Sequence, residues 1–204
     1  MNRPQFISFE GIDGAGKSTH LAATEARLRA TGATVVRTRE PGGTVLAETL
    51  RELVLHQRMD ALSEALLVFA ARREHWLDVV QPALQRSEVV LCDRFADASF
   101  AYQGGGRGVA WEQLQVLERW TVGGRTPDLT LWFTLDPAEA ARRRAAAREA
   151  DRFEAQELDF FHRVHAAYER RRQESPDRFE CIDAAPSVQA VGEQLAAALQ
   201  RRGW

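Results

Sequence analysis

The chain has almost no lysine. Of its 27 lysine and arginine positions one is lysine, Lys17, and every other is arginine. That lysine follows Gly16, so the Asn-Lys-x-Asp signature of a guanine-specific switch is impossible. Cysteine is nearly as scarce. Cys92 and Cys181 lie far apart with no CxxC spacing, which excludes a cysteine zinc site and a redox pair. Both fall in strand-like runs among apolar neighbours, where a free cysteine is expected as a small buried hydrophobe. An excess of charge of one sign is also missing. With 27 basic and 29 acidic side chains, the formal charge of −2 gives no electrostatic footprint for nucleic acid or for a membrane surface, and neither partner is expected. Long apolar runs are absent, and Met1-Asn2-Arg3-Pro4 leads straight into the first strand-like run. The expectation is therefore no signal peptide, no transmembrane span and a cytoplasmic location. Internal repeats and linkers are lacking as well. At 204 residues and 45% hydrophobic composition, residues 1–204 are expected to form one globular domain with a full core.

What is present centres on the lone lysine. Gly11-Ile12-Asp13-Gly14-Ala15-Gly16-Lys17-Ser18 fits Gly-x-x-x-x-Gly-Lys-Ser/Thr without a mismatch, and Thr19 follows. In such a loop the backbone N–H groups turn inward around the α- and β-phosphates, and the lysine reaches the β/γ-phosphates. The Ser18 hydroxyl is a ligand for Mg²⁺. A planar guanidinium fork is the wrong shape for that task, whereas an ammonium is a compact point charge on a flexible stem. Context supports the motif. Gln5 to Phe9 alternate as a β-run, and Leu21, Ala22, Ala26 and Leu28 continue in helical fashion after the loop.

Strand-like runs recur at Phe6–Glu10, Thr34–Thr38, Val89–Cys92, Leu129–Leu135 and Phe179–Ile182, with helical patterns between them. That alternation predicts an α/β fold of the P-loop NTPase kind, a five-stranded parallel sheet with helices on both faces. Turn signals fall at Pro41-Gly42-Gly43, Gly104-Gly105-Gly106, Gly123-Gly124, Asp136-Pro137 and Ser175-Pro176. A long helical stretch runs from Thr44 to about Arg86 with a break near Asp60, and another helix covers Trp111 to about Thr121. The third strand ends in Asp93, four apolar residues followed by an acid, as expected of a second magnesium-holding group near Ser18.

Four segments together are more specific. Residues 10–19 (Glu-Gly-Ile-Asp-Gly-Ala-Gly-Lys-Ser-Thr), 39–44 (Arg-Glu-Pro-Gly-Gly-Thr), 93–104 (Asp-Arg-Phe-Ala-Asp-Ala-Ser-Phe-Ala-Tyr-Gln-Gly) and 148–154 (Arg-Glu-Ala-Asp-Arg-Phe-Glu) resemble the bacterial thymidylate kinase family, in order and at fitting separations. The resemblance implies an enzyme that phosphorylates dTMP with MgATP, has a small lid at about residues 142–154, and forms a homodimer through helices around 44–58 and 62–80. It further implies that Arg51 and Arg94 grip the acceptor phosphate and that Asp13 accepts the sugar 3′-hydroxyl. Glu40 lies near the dTMP pocket, Ser99 and Gln103 bond the polar edge of thymine, and Tyr102 lies against the deoxyribose. Phe69 and Arg73, four apart on a helix, share a face on which a ring stacks on thymine while a guanidinium donates to it. Val68 and Arg72 compete for the same roles, so Arg72 and Arg73 both stand as base contacts.

Position 14 is glycine, so the loop itself carries no arginine to meet the charge of the transferring phosphoryl group. Arg148 and Arg152 of the lid are the expected suppliers, with Arg144 a looser candidate, while Arg170, Arg171 and Arg172 read as surface charge. Two rival functions share these features: a deoxynucleoside kinase or other monophosphate kinase, in which Glu40 would serve as base, and an ATP-driven partner-binding module. The lysine itself gives the sharpest expectation. Lys17→Ala should abolish turnover in a folded protein; an effect confined to the Michaelis constant for dTMP would refute its role at the donor phosphates.

Overall fold

The computed structural model describes residue 3, residues 5–145, residue 153 and residues 156–204. Five parallel strands form one sheet: β1 (Phe6–Glu10), β2 (Val35–Arg39), β3 (Val89–Asp93), β4 (Leu129–Thr134) and β5 (Phe179–Asp183), in the order β2-β3-β1-β4-β5. β1 lies at the centre of the sheet and every one of its residues is buried, the polar Ser8 and Glu10 included. Its register sets Phe9 beside Asp93 of β3 and Glu10 beside Trp132 of β4. The carboxyl ends of β1 and β3 therefore emerge together, where chain connections diverge to opposite sides of the sheet and a crevice forms.

Helices cover both faces. α1 (Lys17–Ala30) packs on β1, β2 and β3 and against α9 (Val188–Arg201), with the His20 ring 6.0 Å from that of Phe133. On the opposite face Phe6 meets Phe95 edge-on at 4.8 Å and lies with Trp76, Val80, Ala83, Val90 and Cys92 in one apolar cluster. That face is roofed by α3 (Ala61–His75), which runs through a π-helical turn (Trp76–Val80) into α4 (Gln81–Gln85). The roof continues with α6 (Trp111–Val122) and, past α7 (Pro137–Ala145), with α8 (Leu158–Glu174), whose Tyr168 stacks on Trp132. Among the described residues no helix is long and apolar enough to cross a membrane.

The expected break near Asp60 is real and has a local cause. α2 (Val45–His56) ends before it, and Asp60 Oδ1 accepts from the amides of Leu62 and Ser63, capping α3. By contrast α1 begins after Gly16 with no side-chain cap and no acidic residue in its first turn, leaving its amides and positive dipole end for an anion.

Three expectations need correction. Gly104-Gly105-Gly106 do not make a turn. The short α5 (Ala96–Ser99) continues as a π-helical segment, Phe100–Gly106, packed flat on α8. A Cβ at Gly105 would lie 2.6 Å from Arg163 O and from Ala167 Cβ, so the glycine serves close approach rather than reversal. Cys92 is buried as expected, but Cys181 is exposed, because β5 is an edge strand with fewer neighbours to cover it. Arg171 is not surface charge. It is buried, with Nε 2.7 Å from Asp97 Oδ1 and Nη2 3.2 Å from Glu118 Oε1, and Arg178 adds a second guanidinium on Asp97. Asp97 is held far below the usual carboxylate range by these partners, against the opposing effect of its own burial.

Candidate active site

The loop between β1 and α1 turns back at once. Gly11 has φ 132°, and a Cβ there would lie 2.5 Å from Phe133 O, so the turn admits no side chain. Gly14 and Gly16 also have positive φ, at 87° and 81°. Lys17 is buried, and its ammonium donates to Gly11 O at 2.9 Å and Ile12 O at 3.1 Å. Burial, helped by the nearby Arg94 charge, lowers its pKa to about 8. Ser18 and Thr19 stand exposed in the first turn of α1.

At the end of β3, Asp93 Oδ1 is buried without a hydrogen-bond partner among the described residues. An acceptor in that condition is suited to a cation or its water shell. Arg94 follows with φ 70°, a left-handed conformation that a non-glycine residue adopts only when its surroundings enforce it. Its Nη1 donates to Gly11 O at 2.8 Å and to Tyr168 Oη at 3.3 Å; its Nη2 donates to Asp13 Oδ1 at 2.8 Å and Tyr102 Oη at 3.2 Å. Beneath it Glu10 accepts from the Phe95 amide at 2.7 Å and from Tyr168 Oη at 3.0 Å. Burial, then the Asp97 charge, pushes the Glu10 carboxyl up to about 8.

A cleft with about 670 Å³ of empty space opens beside this junction. The structure brings Asp13, Glu40, Arg51, Arg72, Arg94, Ser99, Tyr102 and Gln103 together in its lining, from segments up to 90 residues apart in sequence. Phe69 and Arg73 are not in it. Phe69 is core, its ring under Arg72 with Cζ 4.5 Å from the centroid, and Arg73 is exposed with Nη1 donating to Thr121 O on α6. The cleft-facing pair on α3 is Val68 and Arg72, at the same four-residue spacing. A one-residue shift rotates a side chain by about 100° around a helix, which carries Arg73 away from the cleft.

Arg72 is held from three sides. Its Nε donates to Glu40 Oε2 at 2.7 Å, and Nη2 donates to Ser99 Oγ at 2.8 Å and Phe95 O at 3.1 Å. Glu40 Oε1 lies 2.8 Å from His75 Nδ1, and His75 Nε2 lies 2.6 Å from Thr38 Oγ1. Arg72 Nη1 is buried and has no hydrogen-bond partner among the described residues. Arg51, on α2, is half-buried and donates to Pro41 O at 3.0 Å. Burial, then the Arg39 charge, lowers its pKa.

The family model described as thymidylate kinase matches residues 9–195. The chain belongs to the thymidylate kinase family. It is 55% identical to the thymidylate kinase of Paraburkholderia xenovorans, covering 96% of this chain and 97% of that relative. It is likewise 55% identical to that of Albidiferax ferrireducens, over 98% and 96% of the two chains, and 52% identical to that of Burkholderia mallei, over 98% of each.

Several groups that support the cleft of this family member from behind its lining escaped the sequence reading. Glu10 was visible only as the first residue of the phosphate motif. Glu64, His75 and Tyr168 carry no local signal, since each acts through a partner from another element. Arg148 and Arg152, and most of the expected lid, lie outside the described residues. Arg142 and Arg143 both pair with Glu139, and Arg143 also donates to Ala184 O and Ala185 O, so neither reaches the cleft. Phe153 lines the cleft, its ring 5.8 Å from that of Tyr102.

The pairing of Arg72 with Glu40 makes a testable demand. Arg72→Met leaves Glu40 buried with only His75 beside it, and should cost about 3–5 kcal/mol in urea unfolding. Adding Glu40→Gln should recover part of that loss; additive losses in the double variant would show that the two groups do not depend on each other.

Proposed function

We propose that the chain transfers the γ-phosphoryl group of MgATP to the phosphate of dTMP, giving dTDP and ADP, in the supply of dTTP. One observation carries the reading. A phosphate-binding loop with a buried lysine opens onto the same cleft whose walls bring in Arg51, Arg72 and Arg94. Two polyanions bound end to end need cations converging on the space between them, and this is such a convergence.

The acceptor is already an anionic oxygen, so no general base is required and catalysis is positioning and electrostatics. Gly11, Ile12, Asp13, Gly14, Ala15, Gly16, Lys17, Ser18 and Thr19 bind ATP, with Lys17 at the β/γ-phosphates. Arg94, tied to both Gly11 and Asp13, stands at the boundary of donor and acceptor. Arg51 and Arg94 hold the dTMP phosphate, Asp13 the sugar hydroxyl, and Tyr102 the deoxyribose face. Arg72, with its spare buried donor, and Ser99 and Gln103 meet thymine. Arg148 and Arg152 supply lid cations to the transferring group. Ser18 and Asp93 would hold Mg²⁺, and the lone Asp93 oxygen fits that use; the ion neutralises charge on the β- and γ-phosphates.

A nucleoside kinase would need Glu40 as a base for the sugar 5′-hydroxyl. Both oxygens of Glu40 are engaged, one by Arg72 and one by His75, which disfavours that role. A coupled ADP-release assay with dTMP and with thymidine decides the matter: release should depend on dTMP, and thymidine as the better acceptor would overturn the reading.

The enzyme works in the cytoplasm without nucleic-acid or membrane partners, as a homodimer. Val45, Leu46 and Leu53 of α2 and Leu62 and Leu66 of α3 are exposed on neighbouring helices, and Val45 is 90% exposed. An apolar strip of that kind marks an association surface. Sedimentation velocity at micromolar concentration should give a dimer that Leu46→Glu with Leu66→Glu converts to monomer; a monomeric unsubstituted protein would exclude it.

A further inference from the structure

In the dTMP reading Arg72, Ser99 and Gln103 meet the base, and Gln103 has an end that is ambiguous by itself. Arg72 can only donate. Gln103 carries both a carbonyl oxygen and an NH₂ group on one planar amide, so the same residue can present an acceptor or a donor to a base depending on which way the amide lies. Something must choose, because a side chain 3% exposed has little water with which to correct a mismatch.

Glu64 makes that choice. It is fully buried on α3, one turn before Val68, and its Oε1 lies 2.9 Å from Gln103 Nε2. An ionised carboxylate only accepts, so this contact can be a hydrogen bond only with the amide nitrogen toward Glu64. Arg107 supplies the counter-charge. Its Nε lies 3.4 Å from Glu64 Oε2, and its guanidinium lies within 5.4 Å of the Phe153 and Phe160 ring centroids. The backbone carrying Gln103 is equally constrained, since its carbonyl accepts from the Val109 amide at 2.9 Å at the end of the π-helical segment.

We propose that Glu64 is a specificity-determining positioning residue. By holding the amide nitrogen of Gln103 it leaves the Gln103 carbonyl oxygen to face the nucleobase, so the cleft accepts a ring N–H and rejects a ring-nitrogen lone pair. This rests on the dTMP reading of the cleft. Arg72, whose Nη1 is unpaired among the described residues, adds a donor to that acceptor in the same lining. A thymine or uracil edge offers the complement, an N–H next to a carbonyl. Cytosine offers the inverse, a lone pair next to an amino group, and would leave two buried mismatches.

The test compares dTMP and dCMP as acceptors at saturating MgATP. In Glu64→Gln the amide at position 64 can donate as well as accept, so Gln103 is free to turn over. The preference for dTMP over dCMP should fall by ~10-fold or more, through the acceptor KM, with the KM for ATP unchanged. Equal losses on both acceptors, or an unchanged preference, would overturn the assignment and leave Glu64 a structural residue. Absence of dTMP-dependent turnover in the unsubstituted protein would overturn the dTMP reading itself, and this assignment with it. A second measurement needs no variant at position 64. The Gln103 side-chain amide protons, identified by their loss from the NMR spectrum of Gln103→Met, should be protected from solvent exchange with and without dTMP. Protection that appears only on adding dTMP would mean that the amide nitrogen faces the nucleotide, the opposite polarity.

Discussion

The guanidinium of Arg94 ties the phosphate loop, held at Gly11 O and Asp13, to the π-helical segment at Tyr102 and to α8 at Tyr168. Because it is rigid and planar, its donors cannot be satisfied separately; moving any one partner disturbs the rest. The residue is held at φ 70°, a conformation that costs energy and persists only where surroundings over-determine it. Beneath it Glu10 secures the next amide in the chain and the same tyrosine hydroxyl. The phosphate-motif loop and the cleft wall are thus fastened to one another by the protein's own groups, which is how a site for two anions can be built without large reorganisation.

Ionic groups recur throughout the roofed face of the sheet. Glu40 with Arg72 and His75, Asp97 with Arg171 and Arg178, and Glu64 with Arg107 are three separate clusters, each around a buried carboxylate. Such clusters are a weak source of stability, because desolvation offsets most of the Coulombic gain. Their value here is directional. Each bonds a group that lines the cleft or the segment leading to it: Arg72 from α3, the segment bearing Ser99, and Gln103, whose amide nitrogen donates to Glu64. Arginine suits this work, since a forked, planar cation can bond two or three partners at fixed angles. Lysine remains only where a point charge at the end of a flexible stem is needed.

Legibility in the sequence followed the range of the interaction. The phosphate loop was readable because eight consecutive residues build it, and the α/β alternation and the break near Asp60 were readable because they too rest on local signals. The five strands were found within a residue or so of their ends. The choice between Arg72 and Arg73 was not readable, since both lie on one helix and only the position of the facing strands decides which meets the cleft. The triple glycine was misread as a turn because its function, letting α8 approach, involves residues about 60 positions away. Arg171 looked like one charge in a basic run until α8 was laid against Asp97.

The lone lysine, the glycines around it and the alternation of strand and helix were by themselves enough to specify a phosphate-binding motif at the carboxyl end of a parallel strand, because those features depend on backbone geometry and on contacts within a few residues. Tertiary structure decided which arginine lines the cleft, which carboxylates are counter-ions, and which group the Gln103 amide meets. Those outcomes depend on partners brought in from distant segments, and a buried polar group takes its role from the partner that satisfies it.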